Sequence, residues 1–232
     1  MGCKGKKMPL AIDLFCGLGG WTEGLLAEGY DVVGFDIERH DYGTGGYPAQ
    51  LVLQDALTLH GRQFKDAALI VASPPCQEFS YMAMPWSKAK AKERDLLEGR
   101  DDPKRLTALF DACFRIQREA IEAAGHFIPL VVENVRGAQK WVGAAAGRYG
   151  AFYLWGDIPA VMPEAARRGQ GMKVGGDWFG TYAEMKSAGT LSPTRATGKG
   201  SIQRKAASAA IAKIPLPLAR HIAAYWKPNV AS

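Results

Sequence analysis

Val71-Ala-Ser-Pro-Pro-Cys-Gln-Glu-Phe-Ser80 is the stretch whose reading decides the fold. The apolar run that leads into it, Ala67-Ala-Leu-Ile-Val-Ala72, predicts a short buried strand that stops at two consecutive prolines. Neither proline can donate to a sheet ladder, so the backbone leaves the sheet there. Cys76 then stands just past a strand's carboxyl end, on a stiff turn, where open α/β sheets place their ligands. A cysteine so placed is a candidate nucleophile, because the thiolate is the reactive form and such sites can lower its pKa. The commoner fate of a lone cysteine is to pack as a small hydrophobe. Position alone does not choose between the two.

Upstream, the chain alternates. Leu10-Ala-Ile-Asp-Leu-Phe15 is strand-like and runs into Cys16-Gly-Leu-Gly-Gly20. Trp21-Thr-Glu-Gly-Leu-Leu-Ala-Glu28 is helical and closed by Gly29, and Tyr30-Asp-Val-Val-Gly-Phe35 is a second strand ending at Asp36. This is a βαβ unit with a glycine-rich turn and an acid at the tip of strand two. Glycines let a backbone approach a ligand, and the acid can hold ribose hydroxyls; helix–strand packing alone would also explain Gly17 and Gly19. Leu51-Val-Leu-Gln-Asp55 reads as a third strand. Asp55 at its end could accept an adenine amino hydrogen or cap the next turn.

Downstream, Trp86 to Arg105 is polar and lysine-rich, the composition of an exposed charged helix. Leu106 to Ala124 carries a helical apolar stripe, with Cys113 in it and Gly125 closing it. Pro129-Leu-Val-Val132 is a fifth strand, delivering Glu133-Asn134-Val135 at its carboxyl end. A carboxylate emerging beside a nucleophilic strand invites acid/base work, although a lone glutamate there more often caps or pairs. Gly150 to Gly156 reads as a sixth strand.

Composition bounds the answer. The 232 residues, 47% hydrophobic and 22% charged, suit one sizeable globular domain, or one domain with a small appendage. No apolar run is long enough to span a bilayer, and the first residues lack a signal peptide's apolar core. Four scattered cysteines (3, 16, 76 and 113) show neither metal-ligand spacing nor disulfide density, which fits a reducing cytoplasm. From residue 160 onward the chain holds 11 Lys and Arg against 3 Asp and Glu, a local +8 within a total of +6. A basic last third suggests a polyanion docking on one side.

Two segments together carry a resemblance. Asp13-Leu-Phe-Cys-Gly-Leu-Gly-Gly20 and Pro75-Cys76-Gln77-Glu-Phe-Ser80 resemble, in order and spacing, the S-adenosylmethionine loop and the catalytic loop of the DNA (cytosine-5)-methyltransferase family. Glu133-Asn-Val135 is similar to that family's third motif, whose glutamate binds N3 and the exocyclic amine of cytosine. The resemblance implies a Rossmann-like α/β methyltransferase fold, with helices on both faces of a mostly parallel sheet. Its sections would be a catalytic core (1–156), a short basic target-recognition region (157–205) and a helical segment returning to the core (206–232). It implies transfer of a methyl group from S-adenosylmethionine to C5 of a flipped-out cytosine in double-stranded DNA, with no metal and by a monomer. Cys76 would attack C6 and Glu133 would steady the charge that builds near N3. A carboxyl that donates a proton at neutral pH needs a raised pKa, hence a dry pocket.

The same resemblance places Asp13, Phe15, Gly17, Gly19, Gly20, Asp36, Ile37, Asp55, Pro75 and Lys213 on the cofactor. It places Gln77, Ser80, Lys88, Arg94, Arg167, Arg168, Arg195 and Arg204 on the nucleic acid. The family's Gln-x-Arg-x-Arg segment is absent, and Arg148 is the nearest candidate for its base-contacting arginine. Ile214-Pro-Leu-Pro-Leu-Ala219 resembles the motif that returns the chain to the cofactor pocket, but Ile211-Ala-Lys213 stands where Gly-Asn-Ser is expected. A lysine near a sulfonium would repel it unless it points away or meets a carboxylate, and a solvated or DNA-binding Lys213 is the plainer reading. The alternative is a carboxylated donor and a carboxymethyl product. The other rivals are the same chemistry on RNA, a folate-type enzyme of free nucleotides that shares Pro-Cys-Gln, and a DNA-binding module without activity.

Overall fold

The computed structural model describes residues 8–41, 45–75, 79, 94, 98, 102–164, 209–210 and 212–228. Cys76, Gln77, Ser80, Lys88, Arg167, Arg168, Arg195 and Arg204 lie outside the described residues, as does most of the predicted basic region 157–205.

Strands β1 (Leu10–Leu14), β2 (Asp31–Asp36), β3 (Gln50–Leu53), β4 (Ala67–Ala72), β5 (Leu130–Asn134), β6 (Gly147–Tyr149) and β7 (Phe152–Gly156) form one sheet in the order β3-β2-β1-β4-β5-β7-β6. The first five are mutually parallel, and β7 runs antiparallel to both β5 and β6. The sheet is buried on both faces, which is why its strands read as continuous apolar runs. Ile12, Leu14, Ile70, Ala72, Leu130 and Val132 point to one face. Their neighbours Ala11, Leu69, Val71 and Val131 point to the other.

Helix α1 (Gly20–Ala27) and the last described helix share one face with each other; α2 (Pro103–Ala124) covers the opposite one. Asp102 caps α2 by accepting the Lys104 N–H at 2.9 Å, Pro103 fits its first turn, and Gly125 ends it in the left-handed region at φ 71°. Phe110, Cys113, Ile116 and Ala120 are its buried stripe. A short helix α3 (Gln139–Val142) follows β5, and α4 (Leu216–Tyr225) closes the described chain. α4 sets Leu218, Ala219, Ile222 and Ala223 against α1. The two helices meet at Gly24, where an added Cβ would run into the Ala219 side chain and lie 2.7 Å from the Arg220 nitrogen.

Several boundaries differ from the sequence expectation. The fifth strand continues through Glu133 and Asn134, because β7 offers it a partner there. The predicted sixth strand is a hairpin: β6 turns at Gly150 (φ 59°) into β7. The third strand ends at Leu53, so Asp55 caps a 3-10 turn, accepting the Leu57 N–H at 2.9 Å. The helix expected before Pro215 is represented among the described residues only at 209–210 and 212.

Candidate active site

Because β1 lies between β2 and β4, successive units run outward in opposite directions from it and leave a crevice at the carboxyl ends of β1 and β4. The glycine loop follows one strand and Ser73-Pro74-Pro75 follows the other, so topology alone brings them side by side.

On the β1 side the loop is tightly turned. Phe15 has φ 57°, the one non-glycine residue with positive φ among the described residues, and such strain clusters at functional sites. The Gly19 N–H donates to the Cys16 carbonyl at 2.7 Å. The Gly17 N–H donates to Asp36 Oδ2 at 3.0 Å, tying the loop to the tip of β2. Asp36 Oδ1 accepts from the Glu38 N–H and faces His40 Nε2, each at 3.3 Å. Ile37 beside it is 70% exposed.

The three loop glycines serve different ends. An added Cβ at Gly19 would meet Pro48 at 2.7 Å, and one at Gly20 would meet the Ile214 backbone nitrogen at 2.5 Å. Both are protein–protein approaches. Gly17 would meet nothing closer than the Phe15 carbonyl at 4.0 Å, which leaves its backbone open to a ligand.

Asp13 sits beneath this loop, fully buried. Its Oδ2 accepts from Thr22 Oγ1 at 2.7 Å and from Tyr47 at 3.4 Å, and the Thr22 and Tyr47 hydroxyls also bond each other. Its Oδ1 has no hydrogen-bond partner among the described residues. Burial pushes the Asp13 pKa up to about 7, with the Thr22 hydroxyl opposing. Burial raises the Cys16 and Tyr47 pKa values as well, so both remain protonated at neutral pH. Thr22 and Tyr47 carry no motif signal, and only the fold brings Tyr47 here.

On the β4 side Asn134, 1% exposed, makes two bonds. Its Nδ2 donates to the Pro74 carbonyl at 3.0 Å and its Oδ1 accepts the Val135 N–H at 2.8 Å. The end of β5 thereby pins the turn that leads to Cys76. Beyond the turn, buried Phe79 enters the core on the α2 face. Glu133 is half-buried, yet its carboxyl is desolvated enough that its pKa is pushed up to about 8, with the Ser73 hydroxyl opposing. At that value the carboxyl is mostly protonated at neutral pH.

Two expected contacts are placed differently. Lys213 Nζ bonds Glu23 Oε1 at 2.5 Å, so its charge is met by a carboxylate. Arg148 is exposed on edge strand β6 and pairs with Tyr153, which pairs with Asn134. Glu133 pairs with Leu154, one position away, so the pleat sends Arg148 to the opposite face from Glu133. The sheet does not bring the two together. Arg94 is described only as a residue whose carbonyl accepts the Glu98 N–H at 2.8 Å. A separate cleft lined by Phe110, Asp111, Phe114, Arg118, Val142 and Trp155 lies on the α2 side and contains none of the expected site residues.

The family model for C-5 cytosine-specific DNA methylases matches residues 10–140. No curated protein matches. Similar solved structures include a prophage-encoded DNA modification methyltransferase (E. coli), 23% identical with TM-score 0.39, covering 58% of this chain and 35% of that one. Entamoeba histolytica methyltransferase EhMeth is 15% identical with TM-score 0.39, covering 60% and 41%. S. pombe Dnmt2 methyltransferase is 18% identical with TM-score 0.37, covering 59% and 37%. The chain thus spans well under half the length of each of these three structures. The match to the family model takes in the glycine loop, the Pro-Cys-Gln turn and Glu133-Asn134, and over more than half its length the chain belongs to the C-5 cytosine-specific DNA methylase family.

Proposed function

We propose that the chain transfers a methyl group to C5 of cytosine in double-stranded DNA, with S-adenosylmethionine as donor and Cys76 as nucleophile. The observation that carries this reading is Glu133: an acid held protonated at neutral pH, on the strand that pins the turn leading to Cys76.

The residues present fit the donor. Gly17 offers open backbone, Asp36 reaches the loop from the tip of β2, Ile37 is exposed beside it, and Asp13 keeps a buried oxygen without a partner among the described residues. When bound, that group supplies an electrophilic methyl on a sulfonium. Gly17, Asp36 and Ile37 would hold its nucleoside end. Gly19 and Gly20 act indirectly, by letting Pro48 and Ile214 close against the loop. Asp55 already caps a turn through Oδ1, so its role here is to shape the end of β3.

The protein's own steps follow from two groups. The Cys76 sulfur adds to C6, placing an electron pair on the ring. Protonated Glu133 gives or shares its proton at N3, so the ring becomes an enamine that is nucleophilic at C5. After methylation a water takes the C5 proton. That C–H electron pair forms the C5–C6 double bond as the C6–S bond breaks to release the thiolate, and N3 returns its proton to the Glu133 carboxylate. Asn134 contributes by fixing Pro74, two residues before Cys76 in the sequence. The basic last third, with Lys88 and Arg94 ahead of it, would meet phosphates. The Glu23–Lys213 pair favours methyl over carboxymethyl, because the lysine charge already has a carboxylate partner.

Mass spectrometry of nucleosides, after incubation of the protein with methyl-labelled donor and either duplex DNA or RNA, tests this. Labelled 5-methylcytidine from RNA alone would refute the DNA assignment. A 5-carboxymethyl product from the carboxylated donor would refute the methyl assignment.

A further inference from the structure

We infer that Ser73 is a positioning residue: held by the Trp21 indole, it directs its hydroxyl hydrogen to the Glu133 carboxyl and sets the orientation of that acid. The inference rests on the reading of Glu133 as the acid of the proposed reaction.

Ser73 is the last residue before Pro74, and its backbone N–H still bonds the Leu14 carbonyl at 3.1 Å, so its position is fixed by the sheet. The parallel register pairs Val71 with Val131 and Ala72 with Val132. One further step sets Ser73 beside Glu133. Val71 and Val131 point to the face covered by α1, so Ser73 and Glu133 point there too. On that face Trp21, 2% exposed, donates its Nε1–H to Ser73 Oγ at 3.0 Å. A serine hydroxyl has one hydrogen to give. With the indole filling an acceptor position, that hydrogen is left for the Glu133 carboxyl, which the register sets beside it.

The consequence is directional. One carboxyl oxygen is engaged as an acceptor by Ser73, so the proton of the neutral acid resides on the other oxygen. Burial is the larger influence, and the Ser73 hydroxyl the opposing one, on the Glu133 carboxyl. Asp13, Cys16, Asp36 and Tyr47 act on one another rather than on it, Glu23 and Lys213 pair at α1, and Arg148 is on the opposite face. The Ser73 hydroxyl is thus the group that opposes the effect of burial on this acid. Because Trp21 is the second residue of α1, directly after the glycine loop, the relay also ties the acid's orientation to the loop expected to hold the donor.

The test is an NMR titration of side-chain carboxyl 13C in the full chain, with the Glu133 resonance assigned through E133Q. S73A removes the donated hydrogen, which had favoured the charged form. The Glu133 midpoint should rise by about half to one pH unit, and kcat at neutral pH should fall about tenfold, while KM for the donor is unchanged. S73T keeps a hydroxyl and should restore both. W21F leaves the hydroxyl but removes what aims it, and should give a smaller rise. An unmoved midpoint in S73A, or an S73T variant behaving like S73A, overturns the inference. E133Q with full turnover would instead overturn the reaction assigned to Glu133, whatever the titration shows.

Discussion

Replacing Asn134 by alanine should damage the site from below. The amide bridges the end of β5 and the turn after β4: Nδ2 donates to the Pro74 carbonyl at 3.0 Å and Oδ1 accepts the Val135 N–H at 2.8 Å. Both partners belong to backbone that cannot re-pair within the sheet, and Pro74 is buried. Each orphaned group costs about 1–3 kcal/mol, so N134A should lose about 3 kcal/mol in all. For a chain of this size that corresponds to a melting point roughly 6–12 °C lower. The backbone it releases leads directly into Cys76, so turnover should fall more steeply than donor affinity. N134D is the informative partner: it keeps an acceptor for the Val135 N–H but sets a carboxylate oxygen against the Pro74 carbonyl, and should be at least as damaging. Calorimetry together with single-turnover kinetics reads both effects. A loss below about 1 kcal/mol with wild-type turnover would refute the pinning role.

Other outcomes follow from the same geometry. Glu133 is a carboxyl whose folded pKa, about 8, exceeds its unfolded value of about 4.3, so the folded chain holds the extra proton between those values and stability falls as pH rises through that window. E133Q abolishes that slope: its melting point should match the wild type near pH 4 and exceed it near pH 8, and an unchanged difference between the two pH values would count against a buried neutral acid. Turnover that needs the protonated acid should decline as pH passes about 8. G20A would force a Cβ to within 2.5 Å of the Ile214 backbone, with a cost of about 1–3 kcal/mol and weaker donor binding, both visible in a melt with and without donor. K213A breaks a pair whose side chains are 32% and 41% exposed, so it should cost under about 1 kcal/mol and leave donor choice unchanged.

The alternation that made the sheet readable has a physical source. Strands β1, β2 and β4, together with β5, are buried on both faces, so unbroken runs such as Ala67–Ala72 stand out from their polar surroundings. Strand β6 was missed because three residues, one of them an exposed arginine, carry no period. The motif residues were visible, but not the groups that hold them. Ser73 reads as an ordinary strand end until the register sets it beside Glu133. Tyr47 lies 34 residues from Asp13, and only the fold joins them. Ligand approach and packing are both open for the loop glycines in the sequence; the fold sets Pro48 against Gly19 and Ile214 against Gly20 and leaves space beside Gly17. Arg148 is the nearest arginine in sequence, but pleat parity places it on the other face from Glu133.

The direct measurement of the central claim is covalent capture. Duplex DNA carrying 5-fluorocytosine, incubated with the protein and S-adenosylmethionine, should halt after methyl transfer because fluorine cannot leave as a proton does. Intact-mass and peptide analysis should then show DNA bonded to Cys76, with no adduct from C76S. Methylated product without any adduct, or an adduct that persists in C76S, would contradict the account.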